Sequence, residues 1–175
     1  VVLLTHLHAD HIGSLGSFLS FCKNVLDKKV LLAAEEDTIV NILDQSGVHT
    51  DKYNFTTDFK ECEANGLSIY VKREIHATDM LCCGFIFECN GEKIYYSGDA
   101  SNVPSDILNA FLSGEIKTMY QECTFLDTDS TSHFSLKKLC EIIPYEERQR
   151  VYCMHLGDDI EDDIVKAGFR VPKIV

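Results

Sequence analysis

Apolar residues follow two different spacing patterns along the chain, and each pattern predicts a different kind of secondary-structure element. Short continuous apolar runs predict buried strands, and longer runs with apolar residues three and four apart predict helices. Near the front these are, in order, VVLLT, IGSLGSFLSFCKNVL, KVLLAA and EEDTIVNILDQSG. The front of the chain is therefore expected to alternate strand, helix, strand and helix.

The middle of the chain changes to shorter strands, and the alternation with helices returns after residue 99. The strands predicted in CCGFIFEC and EKIYYS flank Asn90 and Gly91, a dipeptide typical of a tight hairpin turn. The later elements are predicted in PSDILNAFLSG, KTMYQECT, HFSLKKLCEII, RVYCMHLG, DDIEDDIVKAG and FRVPKIV. No linker or repeat interrupts the pattern, so we predict one α/β domain over residues 1–175.

Ligand-type side chains are concentrated directly after the first predicted strand, in the stretch HLHADH. His6 and His8 are two apart and are expected to point the same way, while Asp10 and His11 follow the chain as it turns into a helix. Imidazole and carboxylate groups suit zinc, manganese or iron. The stretch therefore predicts a loop that grips two adjacent metal ions, with Thr5 as a hydrogen-bond partner of a ligand.

Further metal-ligand candidates stand at the ends of three later predicted strands. His76 follows LSIYVKREI, Asp99 follows EKIYYSG, and His155 follows RVYCM. Side chains placed where a strand gives way to a loop commonly face a cleft. These residues are the candidates to complete the two metal sites.

This series resembles the metallo-β-lactamase fold superfamily of hydrolases, whose pattern is HxHxDH and then His, Asp and His at successive strand ends. The resemblance implies a four-layer αββα sandwich with two divalent metal ions at its rim. It implies one ion held by His6, His8 and His76, another held by Asp10, His11 and His155, and Asp99 bridging both.

Strands of the same fold normally precede the HxHxDH motif. We therefore expect the domain to be incomplete at its front, and the sheet that contains VVLLT to expose apolar surface or an unpaired edge. A homodimer or another partner could cover such an edge.

The expected chemistry is hydrolysis, because two adjacent divalent ions can share a water and make hydroxide available as a nucleophile. Asp10 is expected to take part in catalysis as well as in binding metal. Glu122 ends one predicted strand and His133 opens a predicted helix, similar to the Glu and His pair of RNase Z and related phosphodiesterases. That resemblance implies that Glu122 orients His133, which acts as general acid or phosphate clamp. In the alternative interpretation, Ser132 caps the helix and His133 is an ordinary neighbour.

The substrate is expected to be smaller than tRNA. RNase Z proteins usually carry a basic arm between the third histidine and the bridging Asp, but only 22 residues separate His76 from Asp99. The formal net charge of -12 also leaves no strong nucleic-acid footprint. A cyclic nucleotide, a short oligonucleotide or a phosphonate-pathway diester is the expected substrate.

Two other functions remain open at this point. The same dinuclear site could hydrolyse thiolesters or lactone-type carbonyls, with Glu122 and His133 serving only the fold. A noncatalytic module could instead use metal to hold its loops while it binds a partner through the open sheet edge.

Cellular location is inferred from cysteines and hydropathy. The eight cysteines lie mostly in apolar runs and offer no zinc-type CxxC pair, which favours reduced core thiols in a cytoplasmic protein. No run of eighteen apolar residues predicts a membrane span. The remaining histidine, His49, lies in a predicted loop and is interpreted as an exposed bystander.

Overall fold

The chain divides at Asn65 into two units, Val1–Asn65 and Gly66–Val175. A computed structural model describes residues 1–77, 80–127, 132–156 and 159–173. Three of the predicted segments include residues outside these ranges: RVYCMHLG, DDIEDDIVKAG and FRVPKIV. The last predicted helix was expected to begin at Asp158, which lies outside the described residues. Each unit is built on its own β-sheet.

The first unit is a parallel three-stranded sheet with helices in its connections. Its elements in chain order are β1 (Val2–Leu3), α1 (Ala9–Ile12), α2 (Leu15–Asn24), β2 (Val30–Ala33), α3 (Thr38–Gln45) and β3 (Tyr53–Thr56). The strand order is β1-β2-β3, so β1 is an edge strand in the part of the chain that the structure describes. A short 3₁₀ turn over Phe59–Cys62 follows β3.

Apolar side chains from every strand and from the two longer helices form the core of this unit. Leu15, Leu19 and Cys22 are buried on α2 at intervals of four and three residues, which is the spacing the sequence predicts for one face of a helix. Leu15 and Leu19 pack with apolar residues such as Leu32 and Ile39. The predicted helix is interrupted, because a turn at residues 13–14 separates α1 from α2.

The second unit is a mixed five-stranded sheet. Its elements are β4 (Leu67–Glu74), β5 (Cys82–Cys89), β6 (Glu92–Tyr96), α4 (Ser105–Leu112), β7 (Ile116–Glu122), α5 (Leu136–Ile142), β8 (Val151–Met154) and α6 (Glu161–Lys166), with a 3₁₀ turn over Tyr145–Arg150. The strand order is β4-β5-β6-β7-β8. β4, β5 and β6 pair antiparallel, and β6, β7 and β8 pair parallel.

Two features of this sheet position the candidate site. The predicted hairpin is present, with Asn90 at φ 53° and Gly91 at φ 79° in the turn between β5 and β6. Because β6, β7 and β8 are parallel, their carboxyl ends meet at the same edge of the sheet. The residues that follow these three strands, among them Asp99, Glu122 and His155, are therefore brought to one edge although they are far apart in sequence.

The α/β class expected from the sequence is confirmed, since both sheets are accompanied by helices. All eight cysteines lie in the described residues, and each is a free thiol. Six of them are buried. None of the described helices combines the length and the hydropathy needed to span a membrane.

Candidate active site

The histidine loop of the first unit runs from the end of β1 into α1. His6 is buried, with 3% of its surface exposed, and its Nδ1 lies 3.0 Å from Thr5 Oγ1. This contact confirms the predicted role of Thr5 as a partner of a candidate ligand. On its other side, His6 Nε2 lies 3.0 Å from His8 Nδ1. The two imidazoles are thus oriented toward each other, as expected for residues two apart.

Asp10 and His11 extend the same loop along α1. The ring of His11 lies 4.1 Å from the ring of His6, and His11 Nε2 is 3.4 Å from Asp10 Oδ2. The Asp10 side chain is 63% exposed, so its carboxylate is accessible at the surface of this unit. The predicted four-residue ligand loop is therefore assembled within Val1–Asn65 from one strand end and one helical turn.

The second unit gathers a cluster of two acidic residues and two histidines at the carboxyl edge of its sheet. Asp99 follows β6, Glu122 is the last residue of β7, His133 precedes α5 and His155 follows β8. Each of the four offers a ligand atom, and all these atoms lie within 4.8 Å of one another. The two carboxyl groups are buried, and the two histidines are partly exposed.

Asp99 and His155 are in direct contact within this cluster. His155 Nε2 lies 3.4 Å from Asp99 Oδ2. The backbone of His155 has φ 54°, a left-handed conformation that residues other than glycine seldom adopt and that occurs preferentially at functional sites. Ser97 helps to support this edge, because its hydroxyl donates to Gly98 O and accepts from Glu122 N. It therefore supports the turn.

His76 belongs to the same edge of the second unit, two residues beyond β4. Its Nδ1 lies 2.9 Å from Ser132 O. A carbonyl oxygen can only accept, so Nδ1 carries the proton and Nε2 is left with the lone pair that a metal ligand needs. The His76 ring lies 5.2 Å from the ring of His133, which in turn stacks at 5.6 Å on His155.

Glu122 and His133 form a hydrogen-bonded pair. Glu122 Oε1 lies 2.7 Å from His133 Nδ1 and also accepts from Phe134 N at 3.1 Å. Burial, and then the negative charge of Asp99, raise the pKa of Glu122 to about 9, while the Phe134 amide lowers it. Glu122 Oε2 is buried without a hydrogen-bond partner among the described residues.

These properties fit a bound cation. Two buried carboxyl groups side by side disfavour ionisation of both unless positive charge compensates them, and imidazole and carboxylate donors suit zinc, manganese or iron. The same donor types are present in the loop of the first unit. The residues of each unit therefore match the chemistry of a divalent metal site.

The alternative interpretation, in which Ser132 caps the helix, is wrong. The helix was expected to open at His133, but α5 begins at Leu136 and its cap is Ser135, whose hydroxyl accepts from Lys138 N. Ser132 instead offers its backbone carbonyl to His76. His133 thus stands outside the helix, in the segment that returns from Glu122.

A further partly buried carboxyl group was not recognised in the sequence. Tyr95 donates to Glu74 Oε1 at 2.6 Å, and burial is the main cause that raises the pKa of Glu74 to about 7. Glu74 ends the exposed, alternating part of β4, where an acidic residue is unremarkable. Only the hydrogen bond from Tyr95 across the sheet distinguishes Glu74 from an ordinary surface glutamate. The bystander His49 is 61% exposed and bonds Asp44, as expected.

Comparison with known proteins gives one matching family. The protein-family model described as "Anti-Pycsar protein Apyc1" matches residues 1–171. An Anti-Pycsar protein Apyc1 from Bacillus phage BSP38 is 28% identical over 192 residues, which cover 95% of this chain and 72% of the phage protein. The match thus includes both units and all the candidate site residues.

Solved structures show the fold. The metallo-β-lactamase fold protein YhfI from Bacillus subtilis matches with a TM-score of 0.73 at 20% identity, covering 98% of this chain and 74% of YhfI. The short form of human tRNase Z matches with a TM-score of 0.61 at 18% identity, covering 90% of this chain and 72% of tRNase Z. The expected metallo-β-lactamase fold is therefore confirmed.

Proposed function

Since the chain belongs to the Anti-Pycsar protein Apyc1 family, we propose that it is a metal-dependent phosphodiesterase that hydrolyses a cyclic nucleotide. The family name fits a protein that degrades cyclic nucleotides. A cyclic nucleotide was also among the small substrates that the sequence favours.

The ligand assignment follows the expectation from the sequence. The proposed ligands are His6, His8 and His76 for one ion, Asp10, His11 and His155 for the other, and Asp99 for both. Two divalent ions bound there would make hydroxide available near neutral pH and would oppose the negative charge that develops on phosphorus. Within each unit, the candidate ligands that it contributes lie close together, which supports this assignment.

The Glu122 and His133 pair is the observation that carries the proposal. The Glu122 side chain is 1% exposed and that of His133 is 37% exposed, so a buried carboxyl group holds an imidazole that still reaches solvent. Nδ1 is bonded to Glu122, and we propose that Nε2 is the nitrogen that meets the substrate. A protonated imidazole there can donate a hydrogen bond to a phosphoryl oxygen.

The same imidazole can complete the reaction. In hydrolysis of a cyclic phosphodiester, the oxygen of water forms a bond to phosphorus and the bond to one ribose oxygen breaks. The departing alkoxide needs a proton, and His133 is placed to supply it as a general acid. The product is a linear nucleotide monophosphate. A carbonyl substrate such as a thiolester has no phosphoryl oxygen to which His133 could donate. This role of His133 therefore favours a phosphodiester as the substrate.

The proposal is tested by comparing His133→Ala with His49→Ala in assays of cyclic nucleotide hydrolysis and of bound metal. We expect His133→Ala to lower kcat by about 100-fold or more, because general acid catalysis contributes about 10² to 10⁴. Bound metal should be unchanged by elemental analysis. His49→Ala should match the wild type in both assays.

Three results would contradict the proposal. Unaltered turnover in His133→Ala would remove its role as acid or clamp. Hydrolysis of an acyl-thiolester but of no phosphodiester by the wild type would support the carbonyl hydrolase instead. A wild type that binds metal but cleaves neither compound would favour the noncatalytic module.

A further inference from the structure

Two large apolar side chains stand exposed beside the catalytic pair. Phe125 is 59% exposed and Leu126 is 58% exposed, and both lie in the segment that leaves Glu122 and returns at His133. Apolar residues scattered singly over a surface need no explanation, but adjacent ones next to a candidate site often mark where a ligand binds. Exposed apolar residues elsewhere in the second unit, such as Tyr70 on β4 and Val165 on α6, lie on other elements.

The backbone holds this dipeptide in place on its N-terminal side. Thr124 pairs in a parallel bridge with Ser135. Thr124 N donates to Phe134 O at 2.9 Å, and Leu136 N donates to Thr124 O at 2.9 Å. Phe125 therefore follows a residue that is hydrogen-bonded on both sides to the segment directly after His133.

Side chains hold the dipeptide on its other side. Asp127 Oδ1 accepts from Ser135 Oγ at 3.0 Å, and Asp127 Oδ2 accepts from Lys137 Nζ at 2.7 Å. Phe125 and Leu126 thus lie between Thr124 and Asp127, both of which are hydrogen-bonded to residues at the start of α5. Such preorganisation lowers the entropy that must be lost when a ligand is bound.

The bridge also sets the separation between the apolar pair and the catalytic histidine. Phe125 lies one residue beyond Thr124, and His133 lies two residues before Ser135, so the two positions are offset by three residues across the bridge. At about 3.3 Å per residue and about 4.8 Å between strands, their Cα atoms are expected to be roughly 11 Å apart. A nucleotide with its phosphate at His133 can reach that far with its base.

We propose that Phe125, with Leu126 beside it, forms the platform on which the base of the cyclic nucleotide stacks while His133 engages the phosphate. This inference rests on the proposed function and names the part of the site that recognises the base. Bases stack on aromatic side chains through their flat faces, and such stacking contributes to binding whatever the base.

The test compares Phe125→Ala and Phe125→Tyr with the wild type on two substrates. One is a 3′,5′-cyclic nucleotide, and the other is ribose 3′,5′-cyclic phosphate, which has no base. For the cyclic nucleotide, Phe125→Ala should raise KM by about 5- to 100-fold and change kcat little, because stacking contributes to binding. KM for the base-free compound should be unchanged. Phe125→Tyr keeps an aromatic face and should retain nearly normal KM.

Tyr70→Ala is the matched control. Tyr70 is an aromatic residue with 50% exposure in the middle of β4, the strand at the far edge of the same sheet from β8. Its removal should change KM for neither substrate. The platform is disproved if Phe125→Ala leaves KM for the cyclic nucleotide unchanged, or raises KM equally for the base-free compound.

Nucleoside binding separates failure of the platform from failure of the proposed function. Adenosine has the base but no phosphate, and its binding is measured by calorimetry with the metal-loaded protein. Adenosine binding that is lost in Phe125→Ala and kept in Phe125→Tyr supports the platform even if no phosphodiester is cleaved. A wild type that does not bind adenosine, or equal binding by Phe125→Ala, overturns it.

Discussion

Glu122 Oε1 lies 2.7 Å from His133 Nδ1, although the two residues are eleven positions apart in the chain. The same oxygen accepts the amide of Phe134, the next residue after the histidine. One buried carboxyl group thus orients both the imidazole and the backbone that carries it. We therefore infer that Glu122 positions His133.

Glu122→Gln should lower kcat while leaving KM and bound metal nearly unchanged. With metal bound, positive charge favours the ionised form of Glu122. The amide oxygen of Gln can still accept from His133, but a neutral amide stabilises an imidazolium much less than that carboxylate does. We expect a loss of about 10- to 100-fold in kcat, which is smaller than the loss in His133→Ala. Steady-state kinetics and elemental analysis measure these quantities.

The double variant Glu122→Gln/His133→Ala distinguishes positioning from an independent role. If Glu122 acts through His133, the double variant should be no slower than His133→Ala alone. Multiplication of the two single losses would contradict this. Glu141→Gln, at an exposed position of α5, serves as the matched control and should behave as the wild type.

Asp99→Asn should lower the amount of bound metal. Asp99 is 2% exposed and contacts His155, so its carboxylate is the buried negative charge at the centre of the proposed dinuclear set. Asn has the same shape but no charge, which should weaken binding of both ions. We expect fewer than two metal ions per chain by elemental analysis, and a loss of kcat of about 100-fold or more.

The control for this prediction is Asp162→Asn in the first turn of α6, where the side chain is exposed. It should leave metal content and kcat unchanged. If Asp99→Asn retains the metal content of the wild type, the bridging assignment is wrong. A melting curve of each variant shows whether the fold is kept.

Glu74→Gln should remove part of the pH dependence of folding stability. Burial raises the pKa of Glu74 to about 7 from its ordinary value of 4.5, so the folded protein holds this proton to higher pH than the unfolded chain does. Stability contributed by Glu74 is therefore complete below about pH 4.5 and is lost as pH rises to about 7. Gln keeps an acceptor for Tyr95 but has no charge to desolvate.

The measurement is the free energy of unfolding of metal-free protein in urea at pH 5, 6, 7 and 8. With allowance for partial exposure, Glu74→Gln should gain stability relative to wild type by about 2 kcal/mol between the lowest and highest pH. The exposed Glu92→Gln should show no such trend. A difference that is the same at every pH would contradict the prediction.

Arg148→Lys should destabilise the second unit without changing the reaction. The Arg148 guanidinium donates to three backbone carbonyls, those of Ile143, Ala167 and Cys140, at 3.0, 2.9 and 2.7 Å. An ammonium group at one point cannot reach all three. We expect the free energy of unfolding to fall by about 2 kcal/mol, measured by urea denaturation.

Lys166→Ala is the comparison for this variant, because Lys166 is 74% exposed and makes a surface ion pair with Asp163. Its effect on the free energy of unfolding should be below about 0.5 kcal/mol. Equal stability of Arg148→Lys and the wild type would show that the three hydrogen bonds are replaced by water without loss.

The sequence by itself determined the order of elements and the chemistry of the ligands, because both are local properties. Apolar spacing is a property of neighbouring residues, and it predicted the helix that became Thr38–Gln45 and the strand that ends at Glu122. Asn90 and Gly91 predicted their turn because few other dipeptides adopt positive φ so readily. The HLHADH loop could be recognised as a candidate metal-binding loop because its ligand-type side chains are close together in sequence.

Only the tertiary structure decided which distant groups meet and how they are oriented. The Ser132 carbonyl that orients His76 is 56 residues away, and Tyr95 reaches Glu74 across 21 residues. Carbonyl directions, burial and the helix start at Leu136 depend on how strands pair and segments return. These properties cannot be read from the residue types along the chain, because packing between residues far apart in sequence determines them.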